Sequence, residues 1–348
     1  MRRRDTLKLF GASALAASPL AAPAVHAQTL VDVRFSLDWA LQGPQAPYVW
    51  AMERGYFREE GLNIVALDRG FGSGDVPVKL LGGSYDVGIA DINPTIRIRL
   101  ERPDADIFSP FVVHDGTALA IMTLARENIR RPADLVGKTI AAPETDAGRQ
   151  MWPAFARATG LDPSSVTWLT VTPQLRETML MQRRANAIAG FITSGILSLE
   201  ALGARREDIV ALRYGEHGVD LYSTSLLTSR AWAQRHPQAV TGLIRAIVRA
   251  HNDARRDTPA VIAALRRREP LTNEPIETRR LQLSLSELTY TPHVVANGFG
   301  RVDMARLQRS IDLTRAAFGI AREMTASDLY DPRYLPPAEA LRAGPAAA

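Results

Sequence analysis

The sequence contains no cysteine. This removes disulfides, thiolate metal sites and cysteine nucleophiles together. A chain of 348 residues builds a core without disulfides, so the absence says nothing against export. Metal-ligand spacing is missing as well. The six histidines form no HExxH pattern, so no metal is expected, and no cofactor either. There is no G-x-S-x-G turn for a hydrolase nucleophile. Aromatic residues make up only 7%. Beyond the N-terminus no apolar run approaches the length of a membrane span.

What is present starts with an unusual N-terminus. "MRRRDTLKLF" opens on arginines, "GASALAASPLAAPAV" is small and apolar, and "VHAQ" offers small residues for a cut after Ala27. Arg3-Arg4 followed by Leu7-Lys8 has the form of a twin-arginine export signal, although Thr6 stands where a bulkier apolar residue is usual. A membrane anchor is the competing reading. The run is short and broken by Pro19 and Pro23, and a lipoprotein anchor would need a cysteine. Residues 1–27 are therefore expected to be a cleaved signal and the protein to be periplasmic. That segment carries a net +3 of the chain's +5, leaving +2 for the mature chain. The basic balance is thus no sign of nucleic acid. Runs such as Arg266 to Glu269 read as solvated helix faces.

The rest has a hydrophobic share of 46% over the whole chain and the length of two domains or one large one. "LVDVRFSLD", "GLNIVALDRG", "YDVGIAD" and "DIFSPFVV" read as strands, with helical patterns between them. The rhythm resumes through "ALAIMTLA", "TIAAP", "VTWLTVT", "ANAIAGFIT" and "DIVALRYG". It predicts α/β architecture with mostly parallel sheets. From about Ala231 the pattern is helical, and the Pro/Ala-rich tail after Leu335 reads as loosely ordered. Two βα sets, joined near "VVHDGTALAI" and "DLYSTSLL", suggest two lobes sharing two crossovers. In open α/β sheets ligands bind beyond the carboxyl ends of strands and at helix N-termini.

Three ordered stretches carry a resemblance: "SLDWALQGPQAPYVWAMERGYFREEGLNI", "GFGSGDVPVKLLGGSYDVGIADIN" and "DLVGKTIAAPETDAGRQMW". In order they resemble the solute-binding proteins of ABC importers, of the nitrate, sulfonate, taurine and thiamine-precursor type. The resemblance covers nearly the whole mature chain. It implies a two-lobed periplasmic binding protein fold (type II) with two hinge strands. Lobe 1 would comprise residues 28–115 and 223–348, and lobe 2 residues 116–222. A small organic solute would be held between them and delivered to an ABC permease in the inner membrane, with no chemistry performed on it. The protein is expected to be a monomer. One departure lies in "QRRANAIAGF", where Arg183 and Asn186 replace the usual Gly and Asp. It is expected to alter local capping and not ligand contact.

The candidate ligand residues follow from these strand ends. Trp39 can stack on a planar ring, or it can be a core residue. Its polar neighbours Asp38 and Gln42 argue against a dry core. Asp38 either accepts from a ligand N–H or caps the following turn. Gly43-Pro44-Gln45 either offers backbone N–H groups to an anion or simply starts a helix. Ser73 and Gly74 would stand at a helix N-terminus, and Asp91 at a strand end. Thr145, Asp146 and Arg149 open the first helix of the second lobe. Asp146 is there more often an N-cap, and Arg149 either clamps a carboxylate or bridges the lobes. Thr193 and Ser194 offer hydroxyls at the crevice or cap the next helix, and Tyr222 lines the hinge side. His114 and Asp115 fall at the first crossover as candidate hinge residues.

Trp39 with Asp38 and Asp91 favours a planar molecule bearing N–H groups, whereas helix N-termini and Arg149 favour an anionic group. A heterocyclic or aromatic acid, or a pyrimidine precursor, would satisfy both. The enzyme alternative is a thiamine-pyrimidine synthase, which relies on a cysteine-rich motif that is missing here. A sensory binding protein would have the same fold and pocket. The binding proteins of TRAP or tripartite carboxylate systems fit the order "DW…GP…GYF…EGL" less well.

Overall fold

A computed structural model describes residues 30–346, and the expected signal lies outside them. Ten strands form two five-stranded sheets. The first contains β1 (Val31–Ser36), β2 (Leu62–Asp68), β3 (Val87–Asp91), β4 (Ile107–Val112) and a strand from much later in the chain, β10 (Thr224–Ser229). The second contains β5 (Leu119–Leu124), β6 (Thr139–Ala142), β7 (Thr167–Thr170), β8 (Ala187–Phe191) and β9 (Ile209–Arg213). Their orders are β2-β1-β3-β10-β4 and β7-β6-β8-β5-β9. In each sheet only the strand following a crossover, β10 or β5, runs antiparallel to its neighbours. The sheets are therefore mostly parallel, as the βα rhythm predicts.

Helices cover both faces of each sheet, so the central strands are apolar throughout and not alternating. All residues of β3, β4 and β5 are buried. Alternation then decides which face a side chain serves. Leu119 and Ile121 of β5 pack with Trp152 and Phe155, whereas Ala120 and Met122 face Leu180 and Ile196. Prolines interrupt two of the helical stretches. Pro153 separates Ala147–Gln150 from Trp152–Ala158, and Pro237 separates Arg230–Arg235 from the long helix Pro237–Arg256.

The C-terminal tail departs from expectation. Leu341 is fully buried in the main core, and its carbonyl accepts from Phe299 N at 2.7 Å. Gly344 N donates to Asn252 Oδ1 at 2.8 Å. Its apolar and backbone groups find partners on the long helix, which composition alone did not reveal. The helix Glu274–Leu283 ends in a π-helical turn over Ser284–Thr289 that lies against the first crossover. No helix of the described residues is long and apolar enough to cross a membrane. Among those residues no cluster of three or more His, Asp or Glu side chains could hold a metal ion.

Candidate functional site

The carboxyl ends of β1 and β3 face the second sheet across a narrow cavity. Both lobes line it. Asp38, Trp39, Gln42, Gln45 and Ser73 come from the first, and Asp146, Thr193 and Ser194 from the second. Chain order explains the first group: β1 ends at Ser36 and the following turn runs into a helix start at Gly43, so Asp38 to Gln45 arrive together.

The lobes are held shut around this space. Gly74 N donates to Thr145 O at 2.9 Å, and Thr145 Oγ1 donates to Phe71 O at 2.8 Å. On the other side Arg280 donates through Nη1 to the carbonyls of Thr193 at 2.6 Å and Ser194 at 2.7 Å. Its Nε donates to Glu277 Oε2 at 2.9 Å, and that oxygen also accepts from Gly43 N at 2.6 Å. Gly72 makes the close approach possible. Its φ is +140°, and a Cβ there would lie 2.5 Å from Thr145 O.

Five of the sequence candidates do not line the cavity. Asp91 is wholly buried, caps the following helix through Asn93 N at 2.9 Å, and accepts from Ser223 Oγ at 2.8 Å. Thr145 and Gly74 are occupied with each other across the lobe junction. Arg149 turns away: its Nη1 donates to Ala142 O and Thr170 Oγ1, and its guanidinium lies 5.1 Å from the Trp168 ring. It does not line the cavity, and these partners all lie within the second lobe. Tyr222 points to the far side, where its hydroxyl accepts from Asp303 N at 2.8 Å and Arg306 covers its ring. The backbone N–H of Gly43 is likewise not free for an anion, because Glu277 already supplies a carboxylate there.

The sequence reading missed Arg176, one of the largest buried side chains. It lines the cavity, yet its donors are spent inside the second lobe. Nε and Nη2 donate to Glu177 Oε1, Nη1 donates to Asp146 Oδ2 and Ala189 O, and Nη2 also reaches Ser194 Oγ at 3.0 Å. A guanidinium has five N–H donors, and five contacts use them. What remains is its flat face, 4.8 Å from the Trp39 ring across the lobe junction. Burial opposes the Arg176 cation, but Glu177 and Asp146 outweigh it and raise its pKa. Burial raises the pKa of Asp146, with Arg176 opposing. Gly190 belongs to this wall, since a Cβ there would strike the Arg176 guanidinium. Tyr48, Ile89 and Phe191 add apolar surface, and His114 and Thr224 line the hinge end. "LRETMLM" gave no signal for Arg176, because an Arg-Glu pair on a helix usually faces solvent.

The electrostatics of the cavity are set by Asp38. Burial, with a smaller contribution from Asp91, pushes its pKa from 3.8 up to about 6. Gln45 Nε2 donates to Asp38 Oδ1 at 3.1 Å, and Ser73 Oγ lies 3.5 Å from Oδ2. Three buried atoms of lining residues have no partner: Gln45 Oε1, His114 Nδ1 and Thr224 Oγ1. Buried polar atoms are ordinarily paired, and these three find no partner among the described residues. Asp38 and Gln45 Oε1 accept hydrogen bonds, His114 Nδ1 and Thr224 Oγ1 can accept or donate, and the lining cation Arg176 is committed to Glu177 and Asp146.

Comparison with known proteins agrees with this architecture. The family model described as "NMT1/THI5 like" matches residues 43–259, and the chain belongs to that family. A formylaminopyrimidine-binding protein from Halalkalibacterium halodurans is 23% identical over 306 residues, covering 87% of this chain and 90% of that one. Among solved structures, the alkanesulfonate-binding protein SsuA from Xanthomonas axonopodis pv. citri, bound to MOPS, aligns with a TM-score of 0.67 at 18% identity. It covers 86% of this chain and 98% of that one. The periplasmic nitrate-binding protein NrtA from Synechocystis PCC 6803 gives 0.67 at 13% identity, covering 91% and 92%. The two lobes described here are thus the periplasmic binding protein fold.

Proposed function

We propose that this member of the NMT1/THI5-like family is an exported solute-binding protein. It captures a small organic molecule between its lobes and delivers it to an ABC importer permease. The observation that carries the reading is the cavity itself, lined from both lobes and closed over by contacts between them. A molecule touching both walls favours the closed form over the open one by its differential affinity, which is how binding becomes a conformational signal. Export rests on the arginine-led N-terminus and on the periplasmic relatives.

The ligand class follows from donors and acceptors. Asp38 and Gln45 Oε1 accept hydrogen bonds, Trp39 offers a ring, and Arg176 has no N–H to give. A sulfonate or nitrate would meet the Asp38 carboxylate without a free cation to offset it. A planar nitrogen heterocycle bearing N–H groups fits, and an aminopyrimidine is the natural probe, given what the Halalkalibacterium relative is named for.

The test is a thermal-shift series on the mature protein with 4-amino-2-methylpyrimidine, taurine and nitrate. A ligand at about 100 times its Kd stabilises the folded state by about 2.7 kcal/mol, so the pyrimidine should raise Tm by several degrees while the anions leave it in place. Stabilisation by taurine or nitrate alone would overturn the ligand class. Trp39→Ala should abolish the pyrimidine shift.

A further inference from the structure

We propose that His114 is a specificity-determining residue: an imidazole in the first crossover that reads a ligand N–H-bearing edge together with Gln45 and Thr224. This rests on the heterocycle reading above and adds the residues that would select within that class.

Three observations converge. His114, Gln45 and Thr224 are each more than nine-tenths buried, each lines the cavity, and each holds a polar atom with no partner among the described residues. His114 and Thr224 are held side by side, since His114 N donates to Thr224 O at 2.9 Å and Ser223 N returns a bond to His114 O at 3.1 Å. The imidazole is fixed at its other end, where Nε2 pairs with Ser284 Oγ at 3.1 Å in the π-helical turn. Nδ1 is the ring nitrogen without a partner among the described residues. Burial, with His251 nearby, lowers its pKa to about 3, so the ring is uncharged at any physiological pH. A neutral ring nitrogen tied to a hydroxyl accepts or donates according to tautomer. Gln45 gives one of its two Nε2 N–H groups to Asp38, and its Oε1 accepts only.

The placement also gives the contact leverage. His114 stands where the chain crosses between lobes. Ser284 continues the helix whose Arg280 grips the carbonyls of Thr193 and Ser194. A bond to Nδ1 therefore forms at the pivot, on the same element that holds the second lobe.

The test compares 4-amino-2-methylpyrimidine with its 4-dimethylamino counterpart, which keeps the ring and loses the exocyclic N–H groups. Calorimetric titration would use the mature wild type, His114→Phe, His114→Gln and Thr224→Val. Wild type should prefer the amino form by about tenfold or more, the scale of one or two buried hydrogen bonds. His114→Phe should lose most of that preference while still binding both probes. His114→Gln should keep part of it, which also covers the case in which the Phe variant fails to fold. Thr224→Val should lose a smaller share. An undiminished preference in His114→Phe, or in His114→Gln and Thr224→Val together, would overturn the role of this edge and leave the heterocycle reading standing. Binding of neither probe by wild type would sink the heterocycle reading, and the selection at His114 with it.

Discussion

Residues 79–92 of the first lobe and 179–192 of the second fold alike. Each has a helix end, a left-handed turn, a buried strand and a new helix. Gly83 takes the turn at φ +69°, and Arg183 takes it at +60°. Ser84 N reaches Lys79 O as Arg184 N reaches Met179 O. The difference comes at the ends. Asp86 binds Arg34 through both carboxylate oxygens, whereas Asn186 accepts from Thr139 N and donates to Glu127. Asp91 caps its helix, and Phe191 at the matching place gives no cap and lines the cavity. One backbone plan thus serves two chemistries. The first lobe and the crossovers present unpaired polar atoms, and the second presents a finished wall whose charges are settled among Arg176, Asp146 and Glu177.

Breaking that wall should have the largest effect. Arg176→Met leaves two buried carboxylates without their cation, a change that typically costs about 3–5 kcal/mol. Urea unfolding followed by tryptophan fluorescence should show a loss of this size. A loss below about 1 kcal/mol would mean that the network is solvated and the contrast between lobes false. Gly72→Ala acts on the junction and on the turn that forms it. Its new Cβ meets Thr145, and its φ of +140° suits glycine only. Pyrimidine affinity should fall about tenfold or more, because closure is what binding requires. Small-angle scattering should find the liganded variant more open than the wild type. Equal compactness would mean that closure does not use this contact.

How far the comparison was legible in the sequence depends on range. Strand ends, the Asp146 cap and the Asp38–Gln45 turn are local matters, written within a few residues of themselves. Arg176 was not legible, because its burial depends on Asp146, Ala189 and Ser194, none of them on its own helix. Arg149 failed for a related reason. A helix start fixes where its Cα lies, not which of two faces its long side chain chooses, and Trp168 with Thr170 decided that. The buried tail was obscured by a composition that ordinarily marks loose ends.

The acids sharpen the contrast through pH. Asp38 and Asp91 both titrate near 6 in the fold, each raised chiefly by burial. Between about pH 4 and 6 the folded chain holds protons that the unfolded chain releases, so stability falls as pH rises across that window and levels above it. Asp38→Asn should flatten part of the fall in melting temperature. Pyrimidine binding should run the other way, strengthening from pH 5 to 7 as Asp38 ionises to accept an N–H. A flat affinity profile would remove Asp38 from the contact. The smallest effect belongs to the shared turn. Arg183→Gly relieves a left-handed residue and should stabilise the second lobe by about 1 kcal/mol, read as a small rise in the urea midpoint. No gain would mean that the turn holds no strain.

The strand orders have a consequence for synthesis. β5 to β9 follow one another without interruption, so the second sheet has every strand it needs once Arg213 has been made. The first sheet cannot close then, because β10 lies between β3 and β4 and arrives only at Thr224–Ser229. Until that strand inserts, β3 and β4 have no bridge between them, and Leu341 reaches their core later still. A ribosome therefore releases an earlier-made half that must wait, and a later-made middle that need not.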